Sequence, residues 1–264
     1  ENVLNFNFYS LHDEEKIMDI YAGLTFSGDT LRFHLEPNLI LNRKSWEIPR
    51  TNHIVYTPKY LDFNDFKLSR GNRTLEISHK NPNIEEDHVE IIFKDFQLSD
   101  LLDYLNPEKP LARGRLDGNL IVKEPFGSLG VLASLEISEL EALEIVLGNL
   151  SLDANAVDTK NYDFKFAMNG GDIDLNLDGN YSADETDPVF HVDIALNELK
   201  LKAVEKLSNG EIENSEGSIS GNFKVGGSIS EPQYDGNLEF KDIAFLVKKL
   251  NAQFKISEQN ININ

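Results

Sequence analysis

The sequence of 264 residues has no cysteine, two methionines and a single tryptophan, Trp46. Without cysteine there is no disulfide staple, no thiolate nucleophile and no cysteine-ligated zinc. Exported and cytosolic chains can both dispense with thiols, so the redox compartment stays open. No apolar run is long enough to form a membrane-crossing helix, and no leader is recognisable. The chain opens at Glu1 and stops inside the alternating stretch Asn260-Ile261-Asn262-Ile263-Asn264, the pattern expected of a piece of a longer protein whose anchor lies outside it. Cationic side chains are scarce: 25 Lys and Arg face 45 Asp and Glu, a formal charge of −20. Phosphate backbones and anionic bilayer surfaces would repel such a chain, which excludes nucleic acid as a partner. Carboxylates spread singly along predicted strands keep a wide sheet soluble and discourage edge-to-edge association.

Catalytic and metal-binding patterns are missing as well. His12, His34, His53, His79, His88 and His191 occur without a second ligand at metal spacing. Asp172, Asp174 and Asp178 hint at a calcium loop, but they alternate with apolar residues and lack the acidic ligand at the twelfth position. There is no Gly-x-Ser-x-Gly elbow, and Gly170-Gly171 and Gly226-Gly227 read as hairpin turns, since no helix signal follows them to make a phosphate cradle. The expectation is a protein that is not an enzyme and carries no cofactor or metal.

What the sequence does contain is a unit that occurs twice, 103 residues apart. Gly114-Arg-Leu116-Asp-Gly118-Asn-Leu120-Ile-Val122, then Pro125, returns as Gly217-Ser-Ile219-Ser-Gly221-Asn-Phe223-Lys-Val225, then Pro232. Upstream, the apolar positions of residues 89–98 map onto those of 192–201 at the same offset. Leu75 and Ile77 match Leu175 and Leu177 if the loop between is shorter in the first copy. Repetition at fixed spacing implies an extended array whose units bury their apolar faces against neighbours.

Within each unit the period is two. Phe164, Phe166 and Met168 alternate with polar or small residues, as do Ile173, Leu175 and Leu177, and similar runs cover residues 31–35, 150–156, 190–196, 238–240 and 254–256. Strict alternation predicts strands with one apolar and one solvated face. Turn signals separate them at Arg70-Gly71-Asn72, Asn169-Gly170-Gly171 and Asp235-Gly236. Two stretches have helical spacing instead: Leu98, Leu101, Leu102 and Leu105 before Pro107, and Leu201, Val204 and Leu207 before Asn209-Gly210. These predict one short amphipathic helix per unit, set to cover a sheet edge. The fold expectation is therefore all-β: an elongated repetitive sheet, one continuous array over 1–264 with units of roughly 1–110, 111–213 and an incomplete 214–264. Such a sheet either closes into a sandwich or curls into an open trough whose inner wall stays apolar. A trough would suit hydrocarbon. Drawing an acyl chain of about fifteen methylenes through water costs ~12 kcal/mol at ~0.8 kcal/mol per methylene, a barrier that an oily slot removes.

The order Gly-x-Leu/Ile-x-Gly-x-Leu/Phe-x-Val, a turn with Pro, then Gly236-Asn-Leu238-Glu-Phe240-Lys-Asp-Ile243 resembles the repeat of TamB-like proteins of the AsmA-like superfamily. The stretch Trp46-Glu-Ile48-Pro-Arg-Thr-Asn52-His-Ile54, followed by Leu61-Asp-Phe63-Asn-Asp-Phe66-Lys-Leu68, is similar to a Trp-containing segment of the Bacteroidota members. The resemblance extends over nearly the whole chain, least securely over 1–30, and rests on apolar and glycine positions. It implies a β-taco: a sheet curved around a hydrophobic groove that spans the periplasm of a Gram-negative bacterium, its parent anchored in the inner membrane. It also implies phospholipid as cargo between the membranes, support of outer-membrane biogenesis and β-barrel or autotransporter assembly, and an Omp85-family barrel as a partner of parent-chain parts not present here. Membrane contact would fall to those same parts.

Alternation on that template nominates as groove-lining Leu75, Ile77, Val89, Ile91, Phe93, Leu116, Leu120, Val122, Leu152, Phe164, Phe166, Ile173, Leu175, Leu177, Val192, Ile194, Ile219, Phe223, Val225, Leu238 and Phe240. For any single position a packed core residue is the competing reading. Two other functions stand beside lipid transfer: a structural or adhesive β-repeat with a closed core, and a carbohydrate-active β-solenoid enzyme. The last is the weakest, because no cluster of carboxylates or aromatics recurs at one rung.

Overall fold

A computed structural model describes residues 2–103, 105–106, 111–127, 130–156, 160–183 and 187–263. Pro107, read above as a helix stop, and the terminal Asn264 lie outside them. The described residues form an open antiparallel sheet of twenty strands that does not close into a barrel, with two short α-helices. The chain divides into two compact units, Glu1–Leu135 and Glu136–Asn264.

The first unit begins with the hairpin β1 (Asn2–His12) and β2 (Glu15–Ser27). On its other side β2 is shared by β3 (Thr30–Leu35) and β4 (Asn38–Leu41), and two arms grow from there. β3 pairs with β6 (His53–Tyr56), which pairs with β7 (Leu61–Asn64). The second arm runs from β4 to β5 (Lys44–Glu47), β8 (Lys67–Arg70), β9 (Arg73–Ser78), β10 (His88–Gln97) and β11 (Ala112–Lys123). Leu39, Trp46, Ile48, Phe63, Phe66 and Phe96 come from both arms and form one buried cluster. Trp46 is fully buried, its ring 5.5 Å from that of Phe96. Asn52, also buried, locks the cluster's rim: its Oδ1 accepts from Leu35 N at 2.9 Å, and its Nδ2 donates to Leu35 O and Pro49 O at 2.7 and 2.6 Å. A single amide thus satisfies backbone groups that would otherwise be stranded beside an apolar core.

The one-turn helix α1 (Ser99–Leu102) follows β10 and is held through Asp100. This buried carboxylate accepts from Lys44 Nζ at 2.5 Å and from Arg73 at 3.2 Å, tying the helix to β5 and β9.

Strand β12 (Gly130–Ala142) runs from the first unit into the second, which continues as a meander. β13 (Ile145–Ala156), β14 (Asn161–Gly170), β15 (Ile173–Ser182) and β16 (Val189–Lys200) pair in sequence, and α2 (Leu201–Leu207) precedes β17 (Ile212–Ser228) and β18 (Pro232–Val247). β19 (Ala252–Ile256) and β20 (Gln259–Ile263) both pair with β18, one beside each half of it. Helix α2 packs Leu201 and Ala203 onto β16 and β17. It ends where Asn209 and Gly210 turn left-handed, at φ of 51° and 81°. Ala203 stands where α1 has Asp100, so the two copies dock their helices by different chemistry.

The repeat extends to backbone irregularities. The ladder between β10 and β11 slips between Phe93 and Phe96, and that between β16 and β17 slips between Leu196 and Leu199, one repeat later. The paired glycines have separate duties. Gly114 and Gly217 adopt φ of 146° and 87°, which favours glycine. At Gly118 and Gly221 a Cβ would run into a backbone carbonyl of the following strand, that of Ser134 or Asn237.

Three expectations need correction. Asp235-Gly236 is no turn but lies inside β18, where the ring of Phe223 on β17 occupies the space above Gly236 with Cδ1 2.8 Å from a would-be Cβ. Gly226 and Gly227 belong to β17 and pair with Gln233 and Pro232; the turn comes after Ser228. The shorter first copy owes its length to its strands rather than to a loop: β9 stops at Ser78 while β15 runs on to Ser182.

Candidate functional site: an uncovered apolar wall

Directly paired residues of antiparallel strands share a face, so the registers of the second unit assemble its wall row by row. One row reads Leu152, Phe166, Leu177, Ile194, Phe223 across β13 to β17. Beside it runs Leu150, Met168, Leu175, Leu196, Gly221, Leu238, Ile261, reaching β20. On the first row's other side are Ala154, Phe164, Gly179, Val192 and Val225, and past the bulge are Ile173, Leu199, Ile219 and Phe240. None of these rows contains an ionisable side chain. Gly179 makes room for the ring of Phe164 as Gly236 does for Phe223, so aromatic rings lie flat over glycines and widen the apolar surface.

Every nominated residue is half-buried. Residues packed against the Trp46 cluster and residues away from it share that degree of cover, which is less than that of the cluster's own Trp46 at 0% and Phe96 at 1% exposure. The nominated residues of the two units differ in what lies on them. In the first unit Leu75, Ile77, Val89, Phe93 and Leu116 pack against the Trp46 cluster, so the chain's own side chains fill that space. The rows of the second unit meet no such cluster among the described residues; α2 buries Leu201 and Ala203 at one end. Sequence alternation identified the wall but missed this difference. The signal available for it was the clustering of Trp46, Phe63 and Phe66 in a stretch of four-residue strands.

Helix α2 is pinned by Glu205, whose Oε2 accepts from Ser215 N at 2.8 Å and also from Ser215 Oγ. The hydroxyl and then the amide of Ser215 hold the carboxyl below its ordinary value of 4.5.

The opposite face of the second unit is wet. Ser151, Ala167, Asn176, Ala195 and Asn222 form one row, and Asp153, Lys165, Asp178, Asp193, Lys224 and Asp235 the next. Lys165 lies 3.4 Å from Asp178 and Lys224 lies 3.7 Å from Asp193, exposed pairs that contribute little to stability. A concavity of about 700 Å³ opens over these two rows, and another of about 810 Å³ lies farther along the same face beside Ser218, Ser220 and Glu239. Phe166, Leu177, Ile194 and Phe223 of the first apolar row also line the first hollow, whereas the second is lined chiefly by polar side chains.

Three of the histidines make local contacts. His88 Nε2 accepts from Asn81 N at 3.0 Å, His79 Nδ1 accepts from Phe63 N at 3.2 Å, and His191 lies 3.3 Å from Asp193. No group of three or more His, Cys, Asp or Glu placed to hold a metal ion occurs among the described residues, and none of their helices is long and apolar enough to cross a membrane. No family model, curated protein or solved structure matches the chain.

Proposed function

We propose that this chain is a segment of a lipid-transfer bridge in which phospholipid acyl chains lie along the apolar rows of the second unit while their headgroups stay in water. The observation that carries the reading is the wall itself: rows of Leu, Ile, Val and Phe, free of charge and half-buried, on which no cluster like that around Trp46 packs among the described residues. Contiguous apolar surface of this kind in a chain of charge −20 marks a place where something apolar is received. Weak, non-directional contact suits a carrier that must release its cargo. The resemblance to TamB-like proteins supplies the setting: the periplasm of a Gram-negative bacterium, a parent protein anchored in the inner membrane, support of barrel assembly, and contact with an Omp85-family barrel through other parts of that parent. On this reading the acyl chains lie along the apolar rows and not in the polar hollow beside Ser218, Ser220 and Glu239.

The filled core around Trp46 favours a second reading, a structural or adhesive β-repeat protein in which apolar side chains serve only to hold strands together. Lipid extraction and native mass spectrometry of protein purified from cells separate the two. Co-purifying phospholipid is expected; protein that emerges lipid-free, and stays so after incubation with phospholipid vesicles, would overturn the bridge in favour of the scaffold.

A further inference from the structure

The wet face of the second unit contains one lane that differs from its surroundings. Read across β13 to β18 it is Ser151, Ala167, Asn176, Ala195, Asn222 and Asn237. Every side chain in it is a methyl, a hydroxyl or an amide, and none is charged, in a protein where 27% of residues are. Charge stands on both sides of the lane. The row from Asp153 to Asp235 forms one bank, and Asp174, Glu198 and Glu239 lie on the other.

The hollow of about 700 Å³ follows this lane. Each strand from β14 to β18 supplies three consecutive residues to it, one from the lane, one from the charged bank and one between them. Alanine at 167 and 195 leaves the space that a longer side chain would fill. Asn176 and Asn222 are exposed, and among the described residues the side chains of Asn176, Asn222 and Asn237 make no hydrogen bond, so their donors and acceptors are available to a ligand.

Spacing and charge select the occupant. Adjacent strands lie ~4.8 Å apart, so a chain laid across β13 to β18 meets a new strand at each such step, over about 24 Å in all. An extended β-linked pyranose chain advances one sugar in roughly that distance and offers hydroxyls at every step. An extended peptide advances ~3.3 Å per residue and falls out of step with the lane. Four aspartates against two lysines in the near bank repel an anionic polymer. We propose that this lane binds an extended, uncharged, β-linked glycan strand lying across β13 to β18, with the amides of Asn176, Asn222 and Asn237 hydrogen-bonded to its sugars. The proposal does not depend on lipid being the cargo.

The test is an NMR titration of isotope-labelled protein, free of lipid, with cellohexaose and with N-acetylchitohexaose, beside the α-linked maltohexaose, whose chain coils. Saturable shifts are expected at the side-chain amides of Asn176, Asn222 and Asn237 with a β-linked hexamer; the two β-linked arms show whether hydroxyls suffice or acetamido groups are needed. Asn176→Asp and Asn222→Asp keep the side chain's shape while removing its donor and adding a like charge. Each is expected to weaken binding about tenfold, the loss of one donated hydrogen bond, with the β spectrum and thermal unfolding unchanged. The absence of saturable shifts with both β-linked hexamers, binding of maltohexaose as tight as theirs, or undiminished binding by the two aspartate variants would each overturn the proposal. The two positions lie on separate strands, so misfolding of one variant leaves the other to decide.

Discussion

Replacing Phe166 with aspartate tests the wall at its most informative position. Phe166 sits between Leu152 and Leu177 in the row that runs on to Ile194 and Phe223. An acyl chain laid along that row loses contact with about three methylenes where the ring is removed, or about 2.4 kcal/mol at ~0.8 kcal/mol each. That corresponds to roughly a fiftyfold loss of occupancy, and a carboxylate that must shed water beneath hydrocarbon increases it. The protein itself should tolerate the change, because the side chain is half-buried and lies outside the buried Trp46 cluster. The assay is photocrosslinking from a benzophenone residue placed at Leu177, in purified protein incubated with phospholipid vesicles. Crosslinking is expected to fall to background in Phe166→Asp with secondary structure and solubility unchanged. The same substitution on the polar face, Asn176→Asp, should leave it intact. Equal crosslinking in the wild type and in Phe166→Asp would refute the assignment of the cargo to this face.

Trp46→Ala empties the centre of the first unit's cluster and should cost about 3–5 kcal/mol, read as a lower midpoint in urea unfolding; a shift below about 1 kcal/mol would show that the cluster is not a packed core. Gly118→Ala and Gly221→Ala each push a methyl into a carbonyl of the next strand, for about 1–3 kcal/mol. Gly118 has φ of 121° and Gly221 does not have a positive φ, so the first substitution should cost ~1–3 kcal/mol more than the second in the same unfolding experiment. Glu205 is held below its ordinary 4.5 by Ser215, so its contribution to α2 docking is fully present above that value and is lost as pH falls through the lowered folded one. Ser215→Ala should flatten that part of the stability–pH curve, and an unchanged curve would show that the pair carries no linkage.

Much of this architecture was legible because a strand records its environment in a period of two. Rows such as Phe164, Phe166 and Met168 against Ile173, Leu175 and Leu177 required only alternation to be placed on one face. The repeat was equally visible, and its glycines prove to mark the same two needs in both copies: a left-handed backbone and a close strand. The misread Asp235-Gly236 shows the limit of local signals. Whether a glycine turns the chain or lies beneath a ring depends on the neighbouring strand's Phe223, a residue beyond local context. Asp100 was unreadable for the same reason, since its partners Lys44 and Arg73 are remote in sequence.

By itself the sequence determined an all-β chain with one apolar and one wet face, a 103-residue period and short helices between β10 and β11 and between β16 and β17, because these follow from periodicity and from the backbone needs of individual residues. Only the tertiary structure decided which apolar residues are satisfied by their own chain. Two arms growing from β2 bring Trp46, Phe63 and Phe96 together in one unit, while among the described residues no such cluster lies on the rows of the meander from β13 to β18. The physical reason is that alternation encodes the sidedness of a strand, whereas cover is a long-range property of what packs against it.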